Sequence, residues 1–150
     1  MSSLQSSKIV LGLTGPFGSG CSTLADVLKE KHSYTSYSLS DFVKAEWLAK
    51  NQGKNIKDAT REELQAIGNS IRREKGLHAL AELAFKLAEK ENKLGERLVF
   101  DSIRNIAEIE FLRKKFHNFC LIALDRLCRK PSLVKNSRVV QRQLFGFLER

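Results

Sequence analysis

Residues 15–23, Gly15-Pro16-Phe17-Gly18-Ser19-Gly20-Cys21-Ser22-Thr23, carry glycines and hydroxyls at the spacing of a phosphate-holding loop, G-x-x-x-x-G-K-[ST], with one exchange: Cys21 stands where the pattern has lysine. The glycines let the backbone turn sharply and aim successive N–H groups at an anion. The following helix would add its positive N-terminal end. Ser22 holds the hydroxyl position that binds Mg²⁺ in such loops, and Thr23 lies one residue further into the helix. Counted from Gly18, the sixth position of a G-x-G-x-x-G dinucleotide fingerprint falls on Thr23, so that reading fails. The competing reading is a purely structural glycine turn.

Losing the lysine has a calculable cost. An ammonium about 4 Å from one phosphate charge is worth ~4 kcal/mol at an effective dielectric near 20, before desolvation. Backbone amides and the helix dipole remain, so ground-state binding survives more readily than phosphoryl transfer. Removing one donor to developing charge typically slows transfer roughly 100- to 1,000-fold. Binding is therefore expected before catalysis.

Further polar residues are candidates for the same site. Asp101, at the end of Arg97-Leu98-Val99-Phe100-Asp101, is placed to hold a Mg²⁺-bound water opposite Ser22, or else to cap the next helix. Arg104 follows as an anion clamp or a plain surface arginine. Asp41 is a candidate base for a substrate hydroxyl or a helix cap. Arg72, with Arg73 beside it, is a candidate for a substrate phosphate. Arg126 and Arg129 fall where a lid would supply charge. His32, His78 and His117 lack partners at metal spacing and read as surface or packing residues.

These residues need elements to position them. Lys8–Thr14 is a short apolar run bounded by glycine, which predicts a buried parallel strand. A helix is expected over Ser22–His32, a strand over Tyr34–Ser40, and a helix from Asp41 through Trp47. A polar connection then leads to Thr60 and Glu63, spaced as a capping box, with Leu64, Ile67 and Ile71 as a helical stripe ended by Gly76. The next helix is expected to bury Leu77, Leu80, Leu83, Ala84 and Leu87. A strand over Arg97–Ser102, a helix marked by Ile109, Leu112 and Phe116, and an apolar strand over Phe119–Asp125 complete the alternation. Strands alternating with helices predict an α/β fold with a parallel sheet flanked by helices in three layers.

The chain has 150 residues, enough for one domain with a core, and 42% hydrophobic and 29% charged residues are ordinary for a globular protein. Residues 1–7 read as a flexible tail without the apolar region of a signal peptide, and no run reaches the ~18 apolar residues of a membrane span. Three cysteines without a C-x-x-C pair fit reduced thiols in the cytoplasm. Residues 126–150 carry six of the nine net positive charges. Such a segment attracts phosphates or is simply a solvated basic stretch. No RNA-binding motif or aromatic ladder accompanies it, so nucleic acid is not the expected partner.

The segments GLTGPFGSGCSTL, LQAIGNSIRREKG and VFDSIRNIAEIEFLRK with FCLIALD resemble, in this order, P-loop kinases of the nucleoside-monophosphate and dephospho-CoA kinase type. They look most like the amino-terminal P-loop domain of bacterial anti-phage deoxycytidylate (dCTP) deaminases. The resemblance covers residues 8 to about 126. It implies a P-loop NTPase fold, nucleotide binding by Gly15–Thr23 with Mg²⁺, and a sensing or regulatory role in antiviral defence. The zinc motif of the deaminases, H-x-E followed by P-C-x-x-C, is not in this sequence. Deamination by this chain is thus not expected, nor a zinc cofactor, and a separately encoded deaminase domain is the implied partner. Residues after Asp125 depart from the lid pattern, as in a split or truncated product or a diverged stand-alone domain. The alternative is an active nucleotide or dephospho-CoA kinase with arginines in place of the lysine.

Overall fold

In the computed structural model, which describes residues 8–125, the first strand, β1 (Val10–Thr14), is almost wholly buried. Helix α1 (Cys21–His32) follows the glycine loop, then strand β2 (Thr35–Ser38) and helix α2 (Leu39–Lys50). A short 3-10 turn over Ile56–Asp58 leads to α3 (Arg61–Lys75). Helix α4 (Ala79–Lys90), strand β3 (Leu98–Ile103), helix α5 (Ile106–Lys115) and strand β4 (Phe119–Ala123) complete the order. The expected flexible tail, Cys128, Arg126, Arg129 and the basic segment lie outside the described residues.

Local chemistry accounts for the helix ends. At α3 the Glu63 amide donates to Thr60 Oγ1 at 3.2 Å and the Thr60 amide donates to Glu63 Oε2 at 2.9 Å, the reciprocal capping box expected from the spacing. Gly76 then ends the helix at φ 102°, a conformation that glycine adopts without penalty. Two expectations are corrected. Helix α2 begins at Leu39 with Ser38 in the cap position, so Asp41 lies inside its first turn and does not cap it. In α4 the buried side is Ala79, Leu80, Ala81, Ala84 and Ala88, whereas Leu77 precedes the helix and is exposed.

The four strands are parallel, in the order β2-β3-β1-β4. Strand alternation divides the core between the two faces of the sheet. Leu11, Leu13 and Val99 pack with Ala25, Leu24 and Leu28 of α1. Val10, Leu98 and Phe100 face the other way, against Leu39, Val43, Ile71, Leu80, Ala84, Ile109 and Leu112 of α2–α5. Burying side chains of this size contributes about 1.5–3 kcal/mol each. Gly12 is fixed by this packing, because a Cβ there would collide with the Phe119 ring and come within 2.9 Å of Ile103 Cδ1. Strand β4 is apolar but only half-buried, and it is the outermost strand beside β1 among the described residues.

Candidate functional site

The strand order fixes where a ligand crevice must fall. The connection after β1 runs through α1 to β2, and the one after β3 runs through α5 to β4 in the opposite direction. Open α/β sheets with such a reversal bind ligands in a crevice beyond the carboxyl ends of the two strands that flank it, here β1 and β3. The glycine loop leaves β1 there, and Asp101 to Arg104 leave β3.

The loop has the shape its glycines permit. Gly18 and Gly20 hold φ 76° and 98°, and the Ser19 amide donates to the Pro16 carbonyl at 3.0 Å. Gly15 admits no side chain: a Cβ would strike the Leu124 carbonyl and lie 2.6 Å from Ser19 Oγ. Gly20 occupies the cap position of α1 and has no side chain to accept from the first-turn amides, and no acidic residue stands in the first turn. Cys21 is half-buried, its Sγ 3.4 Å from Ser19 Oγ, while Ser22 and Thr23 are exposed. At the loop tip Phe17 is 64% exposed, and the Arg61 guanidinium lies over its ring, 4.6 Å from the centroid.

Asp101 sits inside β3 and caps no helix; the cap of α5 is Asn105, whose side chain accepts from the Ala107 amide at 2.9 Å. The pairing with β1 steps from Gly12↔Phe100 to Thr14↔Ile103, so Asp101 and Ser102 together oppose Leu13 in a β-bulge. Ser102 takes φ 62°, a left-handed conformation costly for a residue with a side chain. Its hydroxyl lies 3.4 Å from that of Ser38, itself 2.9 Å from Ser40 Oγ. Asp101 follows Val99 at the two-residue strand repeat and so shares the α1 side of the sheet. It is 3% exposed, and its Oδ1 has no hydrogen-bond partner among the described residues. Leaving a buried charged acceptor unpaired costs upwards of about 1–3 kcal/mol.

The arginines are placed unequally. Arg104 is exposed at the crevice, its backbone amide donating to Glu108 Oε2 at 2.9 Å. Arg72 turns inward, with Nε and Nη2 at 3.0 and 2.9 Å from Glu108 Oε1. Arg73 and Asp41 are exposed, Asp41 in a 2.9 Å ion pair with Lys44. Glu108, absent from the sequence-based candidates, is wholly buried; burial pushes its carboxyl above the ordinary range, against the opposing pull of the Arg104 amide and the Arg72 charge. Its spacing of four from Leu112 was the available signal, since it shares that residue's inward face. Of the histidines, His78 stacks on Phe111 and His32 and His117 are exposed. Among the described residues no His/Cys/Asp/Glu group could hold a metal ion by itself.

No protein-family model and no curated protein matches the chain. Solved structures do. A candidate kinase of Chloroflexus aurantiacus aligns at TM-score 0.50 and 18% identity over 82% of this chain, which spans 60% of that structure. The APS kinase of Mycobacterium tuberculosis aligns at TM-score 0.44 and 20% identity, over 95% of this chain and 98% of its own. A shikimate kinase of Bacteroides thetaiotaomicron aligns at 0.41 and 13%, over 93% and 77%. The parallel sheet flanked by helices, with a glycine loop between β1 and α1, is a P-loop kinase-like α/β fold. No helix among the described residues is long and apolar enough to cross a membrane.

Proposed function

We propose that this chain is a single cytoplasmic nucleotide-binding domain that grips the phosphates of a nucleoside triphosphate with the amides of Gly15–Thr23. One juxtaposition carries the reading: an uncapped helix start and an unpartnered buried carboxylate meet at the same sheet crevice. The first presents backbone amides, which suit an anion, and the second a carboxylate oxygen, which suits a cation. A nucleotide with Mg²⁺ supplies both. The donor set suits that ion, since Mg²⁺ prefers one or two carboxylate or hydroxyl oxygens together with substrate phosphates. Ser22 and Asp101 would hold it, and when bound it neutralises phosphate charge. Arg104, exposed at the crevice, reaches anionic groups of the ligand, and Asp41 stands at the β2 end for a substrate hydroxyl.

With a thiol at position 21 the site binds better than it transfers. The domain is on this reading a sensor or regulator of ATP- or dCTP-class nucleotides, weak as a kinase. It is paired with a separately supplied deaminase in antiviral defence, in line with the sequence resemblance. Titration calorimetry with MgATP and dCTP tests it: micromolar-class binding with negligible ADP release is expected. Cys21→Lys is expected to tighten triphosphate binding by about tenfold or more, the share of the lysine's attraction left after desolvation. No binding by the folded protein defeats the reading. Steady ADP production with a nucleotide or dephospho-CoA acceptor moves it to the active-kinase alternative.

A further inference from the structure

Cys21 leaves the loop without a cation, and the other basic groups near the crevice are unequal substitutes. Arg72 is held by Glu108 through two of its nitrogens. Arg61 is different. It is the first residue of α3, where a positive charge opposes the helix dipole, and the Thr60–Glu63 box closes that helix start without its help. Its guanidinium has no hydrogen-bond or ion-pair partner among the described residues, neighbouring Glu62 and Glu63 included. It lies instead 4.6 Å above the ring of Phe17, at the tip of the phosphate loop. Stacking on a ring face leaves the planar N–H fork unspent, and that fork matches phosphate oxygens.

We propose that Arg61, held by Phe17, supplies from α3 the positive charge to the bound polyphosphate that the loop lacks at position 21. Phe17 is then a positioning residue, and its exposed ring is explained as the platform for the guanidinium. The proposal rests on the nucleotide-binding reading above, and it predicts that position 21 and position 61 are alternative sources of one charge.

Calorimetry with inorganic tripolyphosphate, which has no base to compensate, tests it. Wild type, Arg61→Ala, Phe17→Ala, Cys21→Lys and the paired variants are compared, with circular dichroism melts to show that each is folded. Arg61→Ala is expected to weaken binding about 10- to 100-fold, as for loss of a charged hydrogen-bond donor. Phe17→Ala weakens it less and adds nothing on top of Arg61→Ala. Adding Cys21→Lys to Arg61→Ala restores affinity to near that of Cys21→Lys alone, a strongly non-additive cycle. Unchanged or tighter binding by Arg61→Ala, or additive effects of the two substitutions, overturns the proposal while leaving nucleotide binding intact. Failure of the wild type to bind tripolyphosphate or MgATP overturns both.

Discussion

Asp101 and Glu108 are the two buried acids of the described residues, seven positions apart on either side of one turn, and their surroundings are opposite. Every oxygen of Glu108 is engaged: Arg72 donates twice to Oε1, and the Arg104 amide donates to Oε2. Asp101 keeps one oxygen without a partner and sits beside a residue in a left-handed conformation. The helix starts at the same edge repeat the contrast, α5 closed by Asn105 and Glu108 and α1 open. Completed polar groups at this edge join elements, here α3 to the turn before α5. Incomplete ones are where, on the reading proposed above, a ligand would supply the missing partners. Strain concentrated at such a place is what a functional site leads one to expect.

The comparison breaks most visibly at Glu108. Glu108→Ala leaves the partly buried Arg72 guanidinium without its counter-ion, a change expected to cost up to about 3–5 kcal/mol in urea unfolding. Asp101→Asn is expected to do the reverse. Stability stays level or rises by about 1 kcal/mol, because an unpaired buried charge is removed. The Mg²⁺-dependent part of nucleotide affinity falls about tenfold or more, one oxygen ligand having been exchanged for a poorer one. If Asp101→Asn instead destabilises the fold as Glu108→Ala does, with nucleotide affinity unmoved, the two acids do the same structural work and the contrast between them is false.

How much of this was legible in the sequence follows the range of each interaction. The Thr60–Glu63 box, the stop at Gly76, the alternation of strands and helices and the turn of the chain at Gly15–Gly20 all depend on neighbours within a few residues, and the structure has each of them. Asp101 is legible from its place as the last residue of an expected apolar strand, Arg97–Asp101. Its burial and the bulge that turns Ser102 are not, because they arise from the register of β3 against β1. Glu108 was missed because its meaning depends on Arg72 in another helix. The contact of Arg61 with Phe17 was hidden for the same reason. Leu77 was expected in the core by helical spacing, but α4 begins two residues later and presents alanines to its neighbours, which allow close approach. Asp41 was placed at a helix start that belongs to Ser38, since β2 ends there and the chain turns at once.

The smallest effect sharpens the same contrast through pH. Glu63 is a carboxylate at the protein surface whose hydrogen bond from the Thr60 amide, aided by Trp47 and Lys54, holds its carboxyl below the ordinary value, while burial holds Glu108 above it. The two therefore couple to stability with opposite sign. For Glu63 the folded state releases its proton more readily than the unfolded chain. Its contribution is complete above the unfolded value, near the ordinary 4.5, and is lost as pH falls through the lower folded value. For Glu108 the folded state holds its proton more tightly, so that contribution is complete below the unfolded value and is lost as pH rises through the folded one. Glu82 and Glu96 also have lowered carboxyls and titrate alongside Glu63, so the raw stability curve mixes them. Subtracting the curve of Glu63→Gln from that of the wild type isolates one group, and the difference is expected to shrink on acidification. The matching subtraction for Glu108→Gln is expected to shrink on alkalinisation. Parallel slopes in the two difference curves would mean that Glu108 is tuned by Arg72 more than by burial, and that the two carboxylates obey one electrostatic rule.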